Sequence, residues 1–301
     1  MELRQLAYFV SVADEASFTK AAAKAHVAQP GVSAQVRQLE RELGHALLDR
    51  AAGAVRLTEV GAAVLPYARA ALGAVAGVRA AVDALTGLVR GHVTVGTVAS
   101  ISSPHADLTG LLAGFHEDHP GVEFTLTEAN SDQLVEALRA GRLDVALISL
   151  GSSPLSGIAA QVVVDEPLVV VVGRSDPLAS RATITLGSLR GRALISLPRG
   201  TGLRSCLDQA CAAAGFRPHV AFEASNPRVL AQLAGRGLGV AVVPESVITA
   251  HPAGLHVMAL TRPRLRGRIA LAWRTEQPRS PAAEAFISHA RTVLAPVAGG
   301  L

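Results

Sequence analysis

Gln29, Ser33 and Arg37 bring an amide, a hydroxyl and a guanidinium into one short stretch, QPGVSAQVRQLERELG. Those are the groups that read base edges, or hold phosphates, in a DNA major groove. Just upstream, Thr19, Lys20 and Lys24 suit contacts to the phosphate backbone. Other sets of reactive side chains carry less. Gly235-Arg236-Gly237-Leu238-Gly239 resembles a nucleotide-binding glycine string, but it follows a predicted helix and precedes a predicted strand. A dinucleotide fingerprint needs the reverse order. His116-Glu117-Asp118-His119 has the wrong spacing to place two metal ligands on one helix face. The sequence holds no GxSxG, and no Lys follows a Gly, so a nucleophile elbow and a Walker A loop are both absent.

The elements that must position the first set are helices. At about 100° per residue, Val32, Val36, Leu39 and Leu43 fall on one arc. Pro30, Ser33, Ala34, Arg37, Gln38 and Arg41 fall on the opposite arc, so one face is expected to pack and the other to turn outward. Proline fits a first helical turn, where its missing N–H would be unpaired anyway, and Gly44 fits the C-terminal cap. Leu3, Leu6, Phe9/Val10 and Ala13 mark an earlier helix. Ser17 reads as the N-cap of an alanine-rich one from Phe18 to Ala25. Ala21, Ala22 and Ala25 allow close approach of the next helix, and a short turn around Val27-Ala28 joins the two. This order predicts a helix-turn-helix. The alternative is a plain amphipathic helix with a solvated polar face.

The run VAQPGVSAQVRQLERELGHALLDRAAGAVRLTEVG resembles the amino-terminal signature of LysR-type transcriptional regulators. The matching elements are Gln29-Pro30, Ser33, Arg37, Leu39-Glu40, Leu43-Gly44, Leu47, Arg50, Leu57-Thr58 and Gly61. The resemblance implies a winged helix-turn-helix that binds double-stranded promoter DNA. Its contact residues would be Thr19, Lys20, Lys24, Gln29, Pro30, Ser33 and Arg37, with Arg50 and Arg56 flanking the wing. Three positions depart from the family. Leu48 stands where Phe is usual, Gly53 where a basic residue is common, and Ala28 lacks the hydroxyl that caps the recognition helix, a loss of about 1 kcal/mol. Residues 1–60 hold seven Lys/Arg and seven Asp/Glu. Binding must therefore use placed charges, because there is no general positive field.

Length and charge fit such a build. The chain has 301 residues and a formal net charge of +4, enough for two or three compact units. Lys20 and Lys24 are the only lysines. No basic-then-apolar leader and no apolar run near 18 residues is present, so a soluble, cytoplasmic protein with no membrane contact is expected. Cys206 and Cys211 share a predicted helix at a spacing poor for a disulfide or a metal, and read as small core residues. No metal and no cofactor is expected.

After Leu57-Thr58-Glu59, an N-terminal helix signal, one helical pattern continues to about Leu88. Its stripe is Val60, Val64, Tyr67, Ala71, Val75, Val78, Val82 and Leu85, too long for a small winged-helix domain to bury. The resemblance implies a linker helix that pairs two chains, giving a homodimer or homotetramer. A core helix of a larger domain is the other reading. From Arg90 strands and helices alternate, the pattern of an α/β fold. The resemblance implies two lobes like those of periplasmic binding proteins, with chain crossovers near 162–165 and 261–267. The expected division is 1–58 winged helix-turn-helix, 59–89 linker helix and 90–301 effector domain. Within the last, lobe 1 is approximately 90–162 and 267–301, and lobe 2 approximately 163–266.

Ligands on such sheets sit at the carboxyl ends of strands, near helix N-termini. That rule selects Ser100, Ile101 and Ser102 after the first strand, Asn130 and Ser131 after the second, and Ser149 after the third. In the second lobe it selects Arg199, Gly200, Thr201 and Gly202, and also Ser225-Asn226. Ser100, Ser131 and Thr201 match positions that contact effectors in the family. Each hydroxyl could equally be a plain helix cap. With Arg199 and Arg204 close to Thr201 in sequence, a small carboxylate or similar anion is the expected effector. The sequence thus points to a DNA-binding regulator that responds to a small molecule and performs no catalysis. A cytosolic receptor or enzyme with only weak DNA binding is the alternative.

Overall fold

The computed structural model describes residues 1–49, 55–85, 89–98, 106–151, 154–249, 254–275 and 280–294. These form two compact units. The first contains α1 (Leu3–Glu15), α2 (Phe18–Lys24), α3 (Gln29–Leu43), β1 (Leu48–Asp49), β2 (Arg56–Leu57) and α4 (Glu59–Leu85). Ser17 caps α2, its hydroxyl accepting the Lys20 N–H at 3.3 Å. Four residues separate α2 from α3. Ala28 sits extended at the N-cap of α3 without a side-chain bond, Pro30 lies in the first turn, and Gly44 ends the helix at φ 75°. Leu6, Phe9, Val12, Ala21, Ala22, Val32, Val36 and Leu39 form one core with Leu47, Leu48, Leu65 and Ala68. Leu3 and Leu43 lie outside it, exposed at the helix ends, while Gln5 and Val12 of α1 are buried.

The chain between α3 and α4 is held by polar contacts. One Glu40 oxygen accepts the N–H groups of Leu47 and Leu48, at 2.9 and 3.1 Å. Antiparallel pairing of Leu48 with Leu57 and Asp49 with Arg56 makes the base of a wing. Thr58 opens α4: its hydroxyl donates to Ala46 O at 2.7 Å and accepts the Gly61 N–H at 3.0 Å. Gly61 has a steric reason to be glycine, since a Cβ there would lie 2.0 Å from the Leu47 carbonyl oxygen. Along α4, Leu65 and Ala68 are buried, with Val64, Ala71 and Leu72 packed beside them. Tyr67 (78%), Val78 (67%), Val60 and Val75 are exposed. The apolar stripe expected of this helix is therefore split into a packed face and an uncovered one. The side chains of Val82 and Leu85 lie outside the described residues.

The second unit is an α/β structure. Its strands are β3 (Gly91–Thr97), β4 (Val122–Glu128), β5 (Val145–Ser149), β6 (Ile158–Gly173), β7 (Thr183–Ile184), β8 (Ala193–Ser196), β9 (His219–Glu223), β10 (Val240–Pro244), β11 (Leu255–Leu260) and β12 (Arg266–Arg274). Its helices are α5 (Leu108–Asp118), α6 (Ser131–Arg139), α7 (Gly202–Ala213), α8 (Pro227–Gly235), α9 (Glu245–Thr249) and α10 (Pro281–Val293). The strands run in the order β4-β3-β5-β12-β6-β10-β8-β9, and β11 joins β6 to β7. β3 and β5 are parallel, as are β9, β8 and β10.

Two antiparallel strands link the lobes. β6 pairs with β12 from Ile158 to Pro167, then with β10 from Leu168 and β11 from Val169. The switch at Pro167/Leu168 lies slightly beyond the crossover expected at 162–165, because the strand continues unbroken through both sheets. In lobe 1, Phe286 of α10 meets Phe115 edge-on at 5.2 Å and Phe124 at 5.1 Å, so the returning chain completes that core. β7 and β11 carry little strand signal in the sequence; Leu255–Leu260 alternates in burial only over its last residues.

Gly61→Ala should destabilise the first unit by on the order of 3 kcal/mol, through overpacking against a backbone carbonyl that cannot move aside. Denaturant unfolding measures this, and wild-type stability in the variant would refute the close packing of α4 on the α3–β1 loop.

Candidate functional site

Two surfaces carry the candidate residues, one in each unit. On α3, Gln29, Pro30 and Arg37 are exposed, as are Thr19, Lys20 and Lys24 around α2 and Arg56 on β2. Ser33 is not outward as expected: it is 7% exposed. At 100° per residue it stands 100° from Val32, on the shoulder between the packed and open arcs and on the same stripe as Glu40. Arg50 lies outside the described residues, as does the chain of the wing tip, Ala51 to Ala54.

Three acidic groups of this unit are taken up in ion pairs. Asp14 pairs with Arg69, Glu15 with Lys24 (3.0 Å), and Glu42 with the amino-terminal ammonium. That ammonium first, then Gln38, holds the Glu42 carboxyl below its ordinary pKa. Among the described residues Lys20, Arg37, Arg41 and Arg56 form no ion pair. A chain segment that is neutral in sum thus presents unneutralised cations beside α3. Among the described candidates, Lys24 is the one with a carboxylate partner already in place.

In the second unit a cavity of about 390 Å³ lies between the lobes, and Ser131, Ser149 and Thr201 all line it. Gly202 lines a neighbouring cavity of about 320 Å³, together with Ser131, Ser149, Ser205 and Arg268. The wall between lobes is tight there, since a Cβ on Gly202 would lie 2.4 Å from Ser149 O. Ser100, Ile101 and Ser102 lie outside the described residues.

Local bonding decides what each hydroxyl can offer. Ser131 is buried and its oxygen accepts the Ser149 N–H at 3.1 Å, leaving its O–H to donate. Thr201 donates to Pro198 O at 2.8 Å and makes no capping bond to α7, leaving acceptor lone pairs. Asn130 caps α6 through its carbonyl oxygen, at 2.9 Å from Gln133 N, and also lines the cavity, as does Ser225.

The arginines are a correction. Arg204 does not face the cleft. It is 5% exposed and bonded to Asp208 (2.9 and 3.0 Å), Glu223 (2.7 Å) and Leu197 O (3.1 Å). Burial works against its charge, and the two carboxylates more than offset that. Arg199 is exposed and does not line the cavity. The cation at the cleft is Arg268 of β12, joined by Glu166 of β6 and Glu128 of β4. Arg268 and Glu166 are not legible in sequence, because β6 and β12 are neighbours only through the crossover.

Residues 86–295 match the LysR substrate binding domain, and residues 3–62 match the lysR-family bacterial regulatory helix-turn-helix. The chain belongs to the LysR family of transcriptional regulators. The transcriptional regulator BudR of Raoultella terrigena is 31% identical over 285 residues, 91% of this chain and 95% of that protein. A full-length OxyR point variant of Pseudomonas aeruginosa superposes with a TM-score of 0.75 at 29% identity, covering 97% of this chain and 95% of that one. CbnR complexed with its target DNA gives a TM-score of 0.60 at 28% identity, with 97% of this chain and 100% of that one covered.

In this LysR-family chain the cysteines are core thiols on α7, as expected. Cys211 is fully buried and burial pushes its pKa up to about 11; burial also raises that of half-buried Cys206. No helix among the described residues is long and apolar enough to cross a membrane. Arg204 is structural, so Arg204→Met should lower stability by roughly 1–3 kcal/mol. The figure stays modest because the two carboxylates left behind are partly solvated, 37% and 48% exposed. Thermal unfolding reads this, and an unchanged melting temperature would contradict the assignment.

Proposed function

We propose that two copies of this chain bind promoter DNA through α3 and that a small molecule held between the lobes changes that binding, with no chemistry performed on it. The observation that carries the proposal is the exposed face of α3, where Gln29, Pro30 and Arg37 stand free of the acids that neutralise the unit elsewhere. Gln29 and Arg37 would reach base edges, and Thr19, Lys20, Lys24, Arg50 and Arg56 the phosphates. Ser33 is too buried to read bases and supports the helix from its shoulder. The DNA complex of the relative CbnR supports this reading. In this reading residues 1–58 are the winged helix-turn-helix, 59–89 the linker and 90–301 the effector domain. The uncovered stripe of Val60, Tyr67, Val75 and Val78 on α4 is the surface for pairing two chains. A regulator of promoters works where the chromosome is, in the bacterial cytoplasm.

Arg37→Ala should weaken binding to a promoter fragment by about 1–3 kcal/mol and leave circular dichroism unchanged. Normal affinity in a folded variant would remove α3 from the recognition role.

Val78→Asp places a charge on a residue that is 67% exposed in the single chain but covered in the proposed pair. Sedimentation should therefore show loss of the oligomer with helicity retained. A wild-type oligomer would show that this stripe is not the seam.

A further inference from the structure

The outward row of α3 changes character along its length. Pro30, Ala34, Arg37 and Arg41 fall within about 60° of one another around the helix axis. Short side chains therefore occupy the N-terminal half of the row and two guanidiniums the C-terminal half. Arg37 and Arg41 are exposed, and both line a shallow hollow with Glu40, Gly44 and His45. Among the described residues neither forms an ion pair, and Glu40 is turned to the N–H groups of Leu47 and Leu48. Like charges four residues apart destabilise a helix, and an anion placed before them removes that cost. Arg41 is nonetheless held in one pose. Its Nη2 donates to Gln38 Oε1 at 2.6 Å and its Nε to Arg37 O at 3.4 Å. The Gln38 amide is itself oriented, because its Nε2 donates to Glu42 Oε1 at 3.1 Å. That oxygen also accepts from Gln5 Nε2 of α1, at 3.5 Å. The outer edge of the Arg41 guanidinium, Nη1 and the second N–H of Nη2, keeps its donors.

We propose that Arg41 takes a phosphate of the DNA backbone at the edge of the major groove, and that Gln38 positions it for this contact. The proposal rests on reading α3 as the helix that enters the groove. Such a helix meets base edges with its N-terminal residues. Arg41 lies roughly 16 Å along the axis from Pro30, farther than the ~12 Å width of the groove. When Pro30 and Ala34 lie against the bases, Arg41 has reached the groove wall, where the phosphates are. Arg37, one turn earlier, still faces the bases. The free outer edge of the Arg41 guanidinium is a fork that a phosphate accepts in two parallel, charge-assisted bonds.

The test titrates the full chain with two duplexes of equal length, one from the DNA beside the protein's own gene and one of random sequence. Salt is varied from about 50 to 200 mM. Arg41→Gln removes the charge and keeps a good helix former at the position. It should bind both duplexes more weakly by the same severalfold factor, so that their affinity ratio is unchanged. The log–log salt slope should fall by about 0.9, the share of one phosphate. Arg41→Lys should keep the wild-type slope. Gln38→Leu should weaken both duplexes alike and add nothing in an Arg41→Gln background, since its effect passes through Arg41. An unchanged slope in Arg41→Gln, with native circular dichroism, would overturn the phosphate contact. A loss confined to the promoter duplex would make Arg41 a base reader and overturn it too. Additive losses in the double variant would remove Gln38 from the positioning role. The wild-type chain separates this failure from that of the underlying reading. Equal wild-type affinity for the two duplexes means that α3 reads no sequence, whereas a promoter preference beside an unchanged Arg41→Gln slope sinks the Arg41 assignment alone.

Discussion

β6 hydrogen-bonds β12 along its first ten residues and β10 and β11 along its last six, so one unbroken strand belongs to both lobes. A strand cannot slip its register without turning every side chain to the other face. The ladder therefore fixes which side chains of β6 and β12 reach the cleft, Glu166 and Arg268 among them. Two-strand links of this kind are places where domains close on ligands. The lobes also touch where Gly202 meets Ser149, at a spacing that leaves no room for a Cβ. A strand pair, a glycine contact and the space between them define the cleft.

The DNA-facing unit solves a different problem, because its charges sum to nearly nothing. Four of its carboxylates are engaged: Asp14 by Arg69, Glu15 by Lys24, Glu42 by the amino terminus and Glu40 by the N–H groups of Leu47 and Leu48. Glu40 is the clearest instance, since a negative charge on the recognition helix is used to hold the start of the wing and not to face the phosphates. Affinity then depends on a few placed cations, and a salt dependence set by those contacts follows. The missing hydroxyl at Ala28 makes the start of α3 rely on Pro30 and on packing of Val32 and Val36.

The sequence was most informative where structure is local. Ser17, Pro30, Gly44 and Thr58 mark helix ends through their own chemistry, and each stands where that chemistry places it. Ser33 stands at 100°, on the shoulder of the helix, where a division into a packed and an open arc has no category for it. Nearness to Thr201 suggests an anion site at Arg204, yet Asp208, four residues on, is a visible partner on the same helix face. Arg268 and Glu166 were beyond reach for another reason. They are 102 positions apart, brought together only by the crossover of β6 and β12, and nothing in the spacing of either strand signals that pairing.

The fold and the charges of α3 together require that it read promoter DNA as one of a symmetric pair. Hydroxyl-radical footprinting of the DNA beside the protein's own gene tests it most directly. Protected patches should appear in two half-sites separated by a whole number of helical turns, about 10–10.5 base pairs each, on one face of the duplex. Uniform, sequence-indifferent protection, or no protection at low salt, would contradict it.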